Sequence, residues 1–193
     1  MKAPFDIAAD LDTPVSAFRK LAPFKPHFLL ESVEGGERLG RYSFIGFGEG
    51  LHFCLQGETL QIGSEKRSAP SNREGVLDAF REAMALAPQL SPVVPGLPFS
   101  GGLVGAASYD IVRRFEPVSD RPLPADAPPE ALFTAPESVL VFDHLNRSVA
   151  LLHSGSEEAR LALRSEVISL LRGPDPGPRK TGRVEAPTPT FEK

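Results

Sequence analysis

The sequence contains only one cysteine, no long apolar run and no excess of basic residues. Its single cysteine, Cys54, leaves no partner for a disulfide within the chain, which is usual in the reducing cytoplasm, where we expect the protein to reside. Residues 1–12 contain acids and no long apolar run, so we expect neither a signal peptide nor a membrane partner. Acidic residues outnumber basic ones by 25 to 21, which predicts no nucleic-acid partner.

Side chains for catalysis are also scarce. The histidines lack a metal-ligand spacing with one another, with the cysteine or with carboxylates; they are His27, His52, His144 and His153. Gly46, Gly48 and Gly50 join two predicted strands instead of opening a helix, so we interpret them as a loop that needs unusual backbone angles. The sequence has no nucleophile elbow and no Walker loop. We therefore predict no catalytic residue, no metal site and no cofactor in this chain.

Period-two and helical patterns alternate along the chain and predict an α+β fold, with antiparallel β-sheets (hairpins) covered by amphipathic helices. The strand patterns cover residues 5–11, 26–33, 42–47, 51–62 (a hairpin turning at Gly57), 101–108, 139–143 and 148–153. Helical patterns follow Thr13, Asn72 and Ser156, and Thr13 and Ser156 are predicted N-caps. The predicted buried faces include Val15 in the first helix and Met84 in the second.

Prolines mark two irregular segments. Residues 117–136 contain six prolines and are predicted to be loop. Gly173 should end the third helix, and residues 173–193 contain five prolines and no apolar periodicity, as is typical of a linker. We therefore expect one domain over residues 1–172, followed by a Pro/Gly-rich linker over residues 173–193.

Two stretches carry a family resemblance. The first is FLLESVEGG at residues 28–36 followed by GRYSFIG at 40–46, and the second is FSGGLVG at 99–105 followed by SYDIVRRFE at 108–116. In this order and spacing they closely resemble the amino-terminal domain of anthranilate synthase component I, in the superfamily of chorismate-utilising enzymes. The opening segment LDTPVSAFRKL is similar to the first helix of that family, and the resemblance covers about residues 8–172.

The resemblance implies a two-domain enzyme that converts chorismate and ammonia, derived from glutamine, to anthranilate and pyruvate in tryptophan biosynthesis. The carboxy-terminal domain of the family binds chorismate and Mg²⁺, and we expect that lyase domain to lie beyond Lys193, so this chain alone should be inactive. The amino-terminal domain helps to bind L-tryptophan as a feedback inhibitor. The implied partners are therefore tryptophan, the chorismate-binding domain and a glutamine amidotransferase subunit, component II.

The inhibitor site implied by the resemblance is centred on the LLES segment, with Leu30, Glu31 and Ser32 as its first candidates. The GRYSFIG segment supplies the second set, Tyr42, Ser43 and Phe44. A carboxylate, hydroxyls and aromatic walls suit a free amino acid with an indole ring. However, Leu30 and Ser32 should point to one side of a regular strand and Glu31 to the other, so one of them would contribute by its backbone only.

Other interpretations of the same residues stay open. Glu31 would equally suit an ion pair with Arg41 at the rim, and Tyr42 and Phe44 would equally suit the core. Tyr109, Asp110 and Arg113 are interpreted as packing at a domain interface and are not assigned to the pocket. Two other functions are compatible with the sequence: the same domain of aminodeoxychorismate synthase component I, from folate synthesis, and a non-catalytic interaction module.

Overall fold

The computed structural model describes residues 4–8, 12–31, 40–118 and 127–177. These residues form two five-stranded antiparallel sheets and three α-helices, which confirms the predicted α+β class. The strands are β1 (Phe5–Ala8), β2 (Phe28–Glu31), β3 (Tyr42–Phe47), β4 (Leu51–Gln56), β5 (Thr59–Ile62), β6 (Glu65–Ser68), β7 (Val104–Ala107), β8 (Ala131–Ala135), β9 (Ser138–Asp143) and β10 (Ser148–His153). The helices are α1 (Pro14–Lys20), α2 (Arg73–Leu86) and α3 (Glu157–Arg172), and short 3-10 turns cover Ala22–Phe24 and Tyr109–Arg114.

Each α-helix begins at a side chain that satisfies free backbone N–H groups. Thr13 and Ser16 form a reciprocal capping box at α1, with Pro14 in the first turn. Asn72 accepts a hydrogen bond from the Gly75 amide at α2, and Ser156 accepts one from the Ala159 amide at α3. The predicted caps at Thr13 and Ser156 are therefore confirmed.

Sheet A has the strand order β1-β10-β9-β3-β2 and is covered on both faces. Helices α1 and α3 cover one face, where Ala17, Leu21, Val167 and Leu171 pack against inward side chains that include Ile45, Phe47 and Leu140. The segment after α2 covers the other face through Leu90, Val94, Leu97 and Phe99, which pack on side chains that include Phe44 and Val141. The candidate site residues lie on β2 and β3, at one edge of this sheet.

Sheet B has the order β6-β5-β4-β8-β7 and is covered by α2 on one face. Val76, Ala79 and Ala83 of the helix pack against a buried layer made of Phe53, Leu55, Leu60 and Ile62. The hairpin predicted at Gly57 is confirmed, since β4 and β5 pair through Gln56 and Thr59 on either side of it. The glycines before and within β7 have structural roles: Gly101 and Gly102 have positive φ, and a Cβ at Gly105 would lie 2.1 Å from the Leu132 carbonyl oxygen.

One strand, two helix side chains and the ends of two strands differ from the sequence predictions. Strand β8 lies inside the segment that was predicted to be loop, between Pro129 and Pro136, and pairs with both β4 and β7. Val15 and Met84 were predicted to be buried but are about half exposed. The predicted strands at the start of the chain are shorter where described, and their ends at residues 9–11 and 32–33 lie outside the described residues.

Helix α3 ends at Arg172, as predicted, and the first residues after it lie against α1. Arg19 forms an ion pair with Asp175 and also donates to the Gly177 carbonyl, while Lys20 donates to the Leu171 carbonyl at 2.6 Å. The start of the predicted linker is therefore held beside the domain. Residues 178–193 of that linker lie outside the described part of the chain.

Candidate functional site

Strand β2 forms one edge of sheet A and pairs antiparallel with β3. Leu30 lies opposite Phe44, and Glu31 lies opposite Ser43. Directly opposed residues of a sheet share a face, and neighbours along a strand alternate. The predicted site residues therefore divide into two groups on opposite faces of the sheet. Ser32 lies outside the described residues.

Leu30, Tyr42 and Phe44 share the face that carries a row of aromatic rings. Ring centroids are 6.5 Å apart for Phe5 and Tyr42, 6.3 Å for Tyr42 and Phe44, and 5.4 Å for Phe44 and Phe99. The last pair is edge to face, a favoured arrangement for aromatic side chains. Phe44 is buried, whereas Leu30 is 37% exposed and Tyr42 is half-buried. The buried Phe44 thus lies in the middle of the row, and the partly exposed side chains of Leu30 and Tyr42 lie beside it on the same face.

Three further rings of this row were not predicted from the sequence; they are Phe5, Phe28 and Phe99. Phe28 is on the Leu30 side of β2 by strand alternation, which the sequence pattern already contained, and its ring centroid is 6.1 Å from that of Phe99. Phe5 and Phe99 come from distant segments, so no local pattern could place them there. Gly46 makes room for Phe28, since a Cβ at Gly46 would lie 2.3 Å from that ring.

Glu31 and Ser43 lie on the opposite face, towards α1 and α3. Ser43 is buried, and its hydroxyl is hydrogen-bonded to His144 Nε2 at 2.8 Å. This contact satisfies the buried hydroxyl within the domain. Glu31 is exposed at the end of β2. The side chains of Glu31 and Ser43 therefore do not share a face with Leu30, Tyr42 and Phe44.

An ion pair between Arg41 and Asp143 lies beside Tyr42. The guanidinium Nη2 is 2.7 Å from Asp143 Oδ2, and its carbon lies 4.8 Å from the centroid of the Tyr42 ring. The hydrogen bond from Arg41, together with those from Asn146, lowers the pKa of Asp143 below its ordinary value, although burial opposes this shift. The open interpretation in which Glu31 pairs with Arg41 is wrong for the described residues, because Arg41 pairs with Asp143 instead.

The histidines are dispersed. His144 follows β9 and His153 ends β10, so they lie at opposite ends of that hairpin. The rings of His27 and His52 are 5.7 Å apart, and His27 Nε2 donates to the Gly48 carbonyl at 2.6 Å. Within residues 4–8, 12–31, 40–118 and 127–177, no three His, Cys, Asp or Glu side chains are grouped as metal ligands would be. None of the helices in these ranges has the length and hydrophobicity that crossing a bilayer requires.

A concavity of about 790 Å³ lies beside α1 and is lined in part by Phe18, Arg19 and Pro176. It is not formed by the predicted site residues. Arg19 there is already engaged by Asp175 and Gly177, so its charge is compensated within the chain. We therefore keep the β2–β3 edge as the candidate site.

Comparisons with known proteins agree with the resemblance seen in the sequence. A family model described as chorismate binding enzyme matches residues 25–190. The chain is 38% identical over 174 residues to anthranilate synthase component 1 of Thermus thermophilus, which covers 88% of this chain and 36% of that protein. It is 36% identical over 151 residues to the protein of the same name from Mycobacterium bovis, covering 76% of this chain and 29% of that one.

A solved structure shows the same fold. The crystal structure of anthranilate synthase component I from Streptococcus pneumoniae matches with a TM-score of 0.57 at 23% sequence identity, over 91% of this chain and 38% of that chain. This chain thus spans about a third of the length of the relatives that it matches.

Proposed function

Because this chain belongs to the family of chorismate binding enzymes, we propose that it is the amino-terminal, regulatory part of an anthranilate synthase component I. The complete protein would convert chorismate and ammonia to anthranilate and pyruvate, with Mg²⁺ bound in its catalytic domain and ammonia supplied by a glutamine amidotransferase subunit. The observation that carries the proposal is the alignment of 88% of this chain with a third of the Thermus thermophilus protein at 38% identity.

We propose further that the β2–β3 edge of sheet A helps to hold tryptophan. Leu30 and Tyr42 offer partly exposed apolar surface beside Phe44, and an indole ring is suited to such a surface. β2 is an edge strand, so one side of its backbone is not paired with another described strand. Backbone N–H and C=O groups on that side suit the carboxylate and ammonium of a free amino acid.

The division of side chains between the two faces refines the roles in this proposal. Leu30, Tyr42 and Phe44 act through their side chains on the aromatic face. Glu31 acts through its backbone, since its side chain points to the other face. Ser43 supports the edge from within the sheet, because its strand β3 pairs with both β2 and β9 and its hydroxyl is bound to His144. Ser32 stays a predicted contact, because it alternates with Glu31 along the sequence and should share the Leu30 side of a continued strand.

A chimera tests the enzymatic part of the proposal. Residues 1–193 replace the aligned third of the Thermus thermophilus protein, and anthranilate is measured by its fluorescence with chorismate, ammonium and Mg²⁺. We expect Mg²⁺-dependent anthranilate formation above a blank without enzyme. The parent enzyme is the positive control. A folded chimera that makes no anthranilate while the parent does would contradict the assignment.

A further inference from the structure

One face of sheet B is left open by the described residues. α2 covers the face that carries Phe53 and Phe133, whereas the opposite face carries two cross-strand rows. On strands β4, β8 and β7 the first row is Cys54, Leu132 and Ala106, and it continues through Gln61 to Lys66 on β5 and β6. The second row on the same three strands is His52, Thr134 and Val104. We call these six residues of β4, β8 and β7 the neutral face of sheet B, because they include no Asp, Glu, Lys or Arg in a chain whose residues are 24% charged.

The neutral face is unusual for a surface that faces only water. An antiparallel sheet with one solvated face usually alternates apolar residues inside with polar residues outside. β8 instead has apolar residues on both sides, and Leu132 is 53% exposed although it lies between Cys54 and Ala106. Ala106 is also exposed. Tyr109, which follows β7 by two residues, is 88% exposed and is the kind of side chain that dominates interfaces.

The two edge strands of sheet B differ in charge. β6 has the sequence EKRS, is exposed throughout, and its Arg67 is paired with Glu82 of α2. Charged residues on an edge strand prevent pairing with another strand. β7 has the sequence VGAA, carries no charge and has no further strand beside it among the described residues. The unprotected edge is therefore the one that borders the neutral face.

We propose that the neutral face and the β7 edge form the surface on which the rest of a full-length anthranilate synthase component I packs. This inference rests on the proposed function, and it names the part of the domain that contacts the chorismate-binding domain. The length of the relatives supports this occupant, since this chain covers only 36% of the Thermus thermophilus protein and 38% of the Streptococcus pneumoniae chain.

The size of the surface favours a covalently attached partner over a second copy. Three strands about 4.8 Å apart, each rising about 3.4 Å per residue over four residues, give roughly 200 Å² of flat area. A stable complex between separate proteins needs about 800 Å² from each partner. A domain in the same polypeptide is present at an effective concentration in the millimolar range, so a smaller contact suffices.

The lone cysteine provides a reporter on this surface, directly opposite Leu132. Cys54 is partly exposed, and it is the only cysteine of the 193 residues, so the isolated chain can be alkylated at one known position. We would measure maleimide labelling of Cys54 by peptide mass spectrometry in the isolated chain and in the chimera. We expect labelling at least about tenfold slower in the chimera, which corresponds to about 1.4 kcal/mol of protection.

A pair of matched variants locates the contact. Leu132→Glu places a charge on the neutral face and should restore fast labelling in the chimera, whereas Leu161→Glu, on the exposed side of α3, should not. Thermal unfolding of the isolated chain with Leu132→Glu controls for misfolding, because a side chain that is 53% exposed there should tolerate the change.

The outcomes separate this inference from the proposed function. An active chimera whose Cys54 labels as fast as in the isolated chain would overturn the inference and leave the function intact. Protection of Cys54 in an inactive chimera would support the surface and count against the function. Labelling of the isolated chain that slows as its concentration rises would show that a second copy occupies the surface, which would also overturn the inference.

Discussion

Replacing Glu130 by alanine should destabilise the domain strongly, because it would leave a buried cation without its partner. The side chains of Glu130 and Arg114 are 6% and 13% exposed. They form a bidentate ion pair, in which Arg114 Nε lies 2.9 Å from Glu130 Oε1 and Arg114 Nη2 lies 2.7 Å from Glu130 Oε2. Arg114 also donates to the carbonyl oxygens of Pro70 and Gly57, and Glu130 accepts from the Gly57 amide at 3.1 Å. The pair thus ties β8 and the Tyr109–Arg114 turn to the β4–β5 hairpin.

The magnitude follows from burial. Removing one member of a buried pair typically costs about 3–5 kcal/mol, because the other charge stays desolvated. Glu130→Gln keeps the shape of the side chain and one acceptor oxygen. Its loss of unfolding free energy should therefore be about 1.5–3 kcal/mol, the value for a hydrogen bond to a charged group. With a urea dependence of about 2–3 kcal/mol per molar, Glu130→Ala should lower the unfolding midpoint by about 1–2.5 M.

Equilibrium urea unfolding, followed by circular dichroism, measures this shift. The control is Asp78→Ala, which breaks an ion pair with Arg81 whose side chains are both more than two-thirds exposed, and it should cost less than about 1 kcal/mol. If Glu130→Ala cost no more than Asp78→Ala, then Arg114 would be solvated in the folded protein and the burial argument would fail.

Three further predictions concern stability and the end of the domain. Asp143→Asn should lower the free energy of unfolding by about 1.5–3 kcal/mol at pH 7. Because the pKa of Asp143 is lowered in the folded state, its contribution is complete above the ordinary value of 3.8 and is lost as the pH falls through the folded pKa. The difference between the two proteins in urea unfolding should therefore shrink progressively as the pH falls below about 4, and a constant difference down to pH 2 would contradict this. Gly105→Ala should lower the free energy of unfolding by about 1–3 kcal/mol, since the new Cβ would clash with the Leu132 carbonyl oxygen. An unchanged melting temperature would contradict this, because it would show that β7 and β8 can move apart without cost. Limited trypsin digestion should cleave after Lys180 before it cleaves after Arg172, because hydrogen bonds to α1 hold the end of α3; early cleavage at Arg172 would disprove that anchoring.

Local sequence signals predicted most of the secondary structure. The hairpin at Gly57 and the caps at Thr13 and Ser156 were predictable because each depends on residues that are adjacent or three apart along the chain. β8 was missed because prolines on both sides of ALFTA dominate that window, whereas its pairing with β4 and β7 is decided by distant residues. Val15 is exposed because the packing of α1 buries Pro14 and Ala17 instead, and tertiary packing cannot be obtained from helical period alone.

The candidate site was predictable as a set of segments and not as a geometry. Alternation along β2 correctly separated Leu30 from Glu31, and the register of β3 places Ser43 with Glu31. The partners of these residues are distant in the sequence. His144, the partner of Ser43, is 101 residues away from it, and Asp143, the partner of Arg41, is 102 residues away. No local pattern contains such contacts, so the sequence could not decide between a ligand contact for Glu31 and its pairing with Arg41.

Inhibition by tryptophan is the most direct test of the central claim that this chain is the regulatory part of an anthranilate synthase component I. Initial rates of the chimera are measured against tryptophan concentration for the unmodified sequence, Ser32→Phe and Ser43→Ala, each relative to its own uninhibited rate. We predict that tryptophan inhibits the unmodified chimera and the Ser43→Ala variant alike. The hydroxyl that Ser43→Ala removes is bound to His144 on the other face of the sheet, so its loss should not affect the inhibitor site. Ser32→Phe should abolish the inhibition and leave the uninhibited rate largely intact, because filling the inhibitor site removes a coupling that is usually about 5–150-fold in affinity. An unmodified chimera that tryptophan does not inhibit, or a Ser32→Phe curve that matches the unmodified one, would contradict the account.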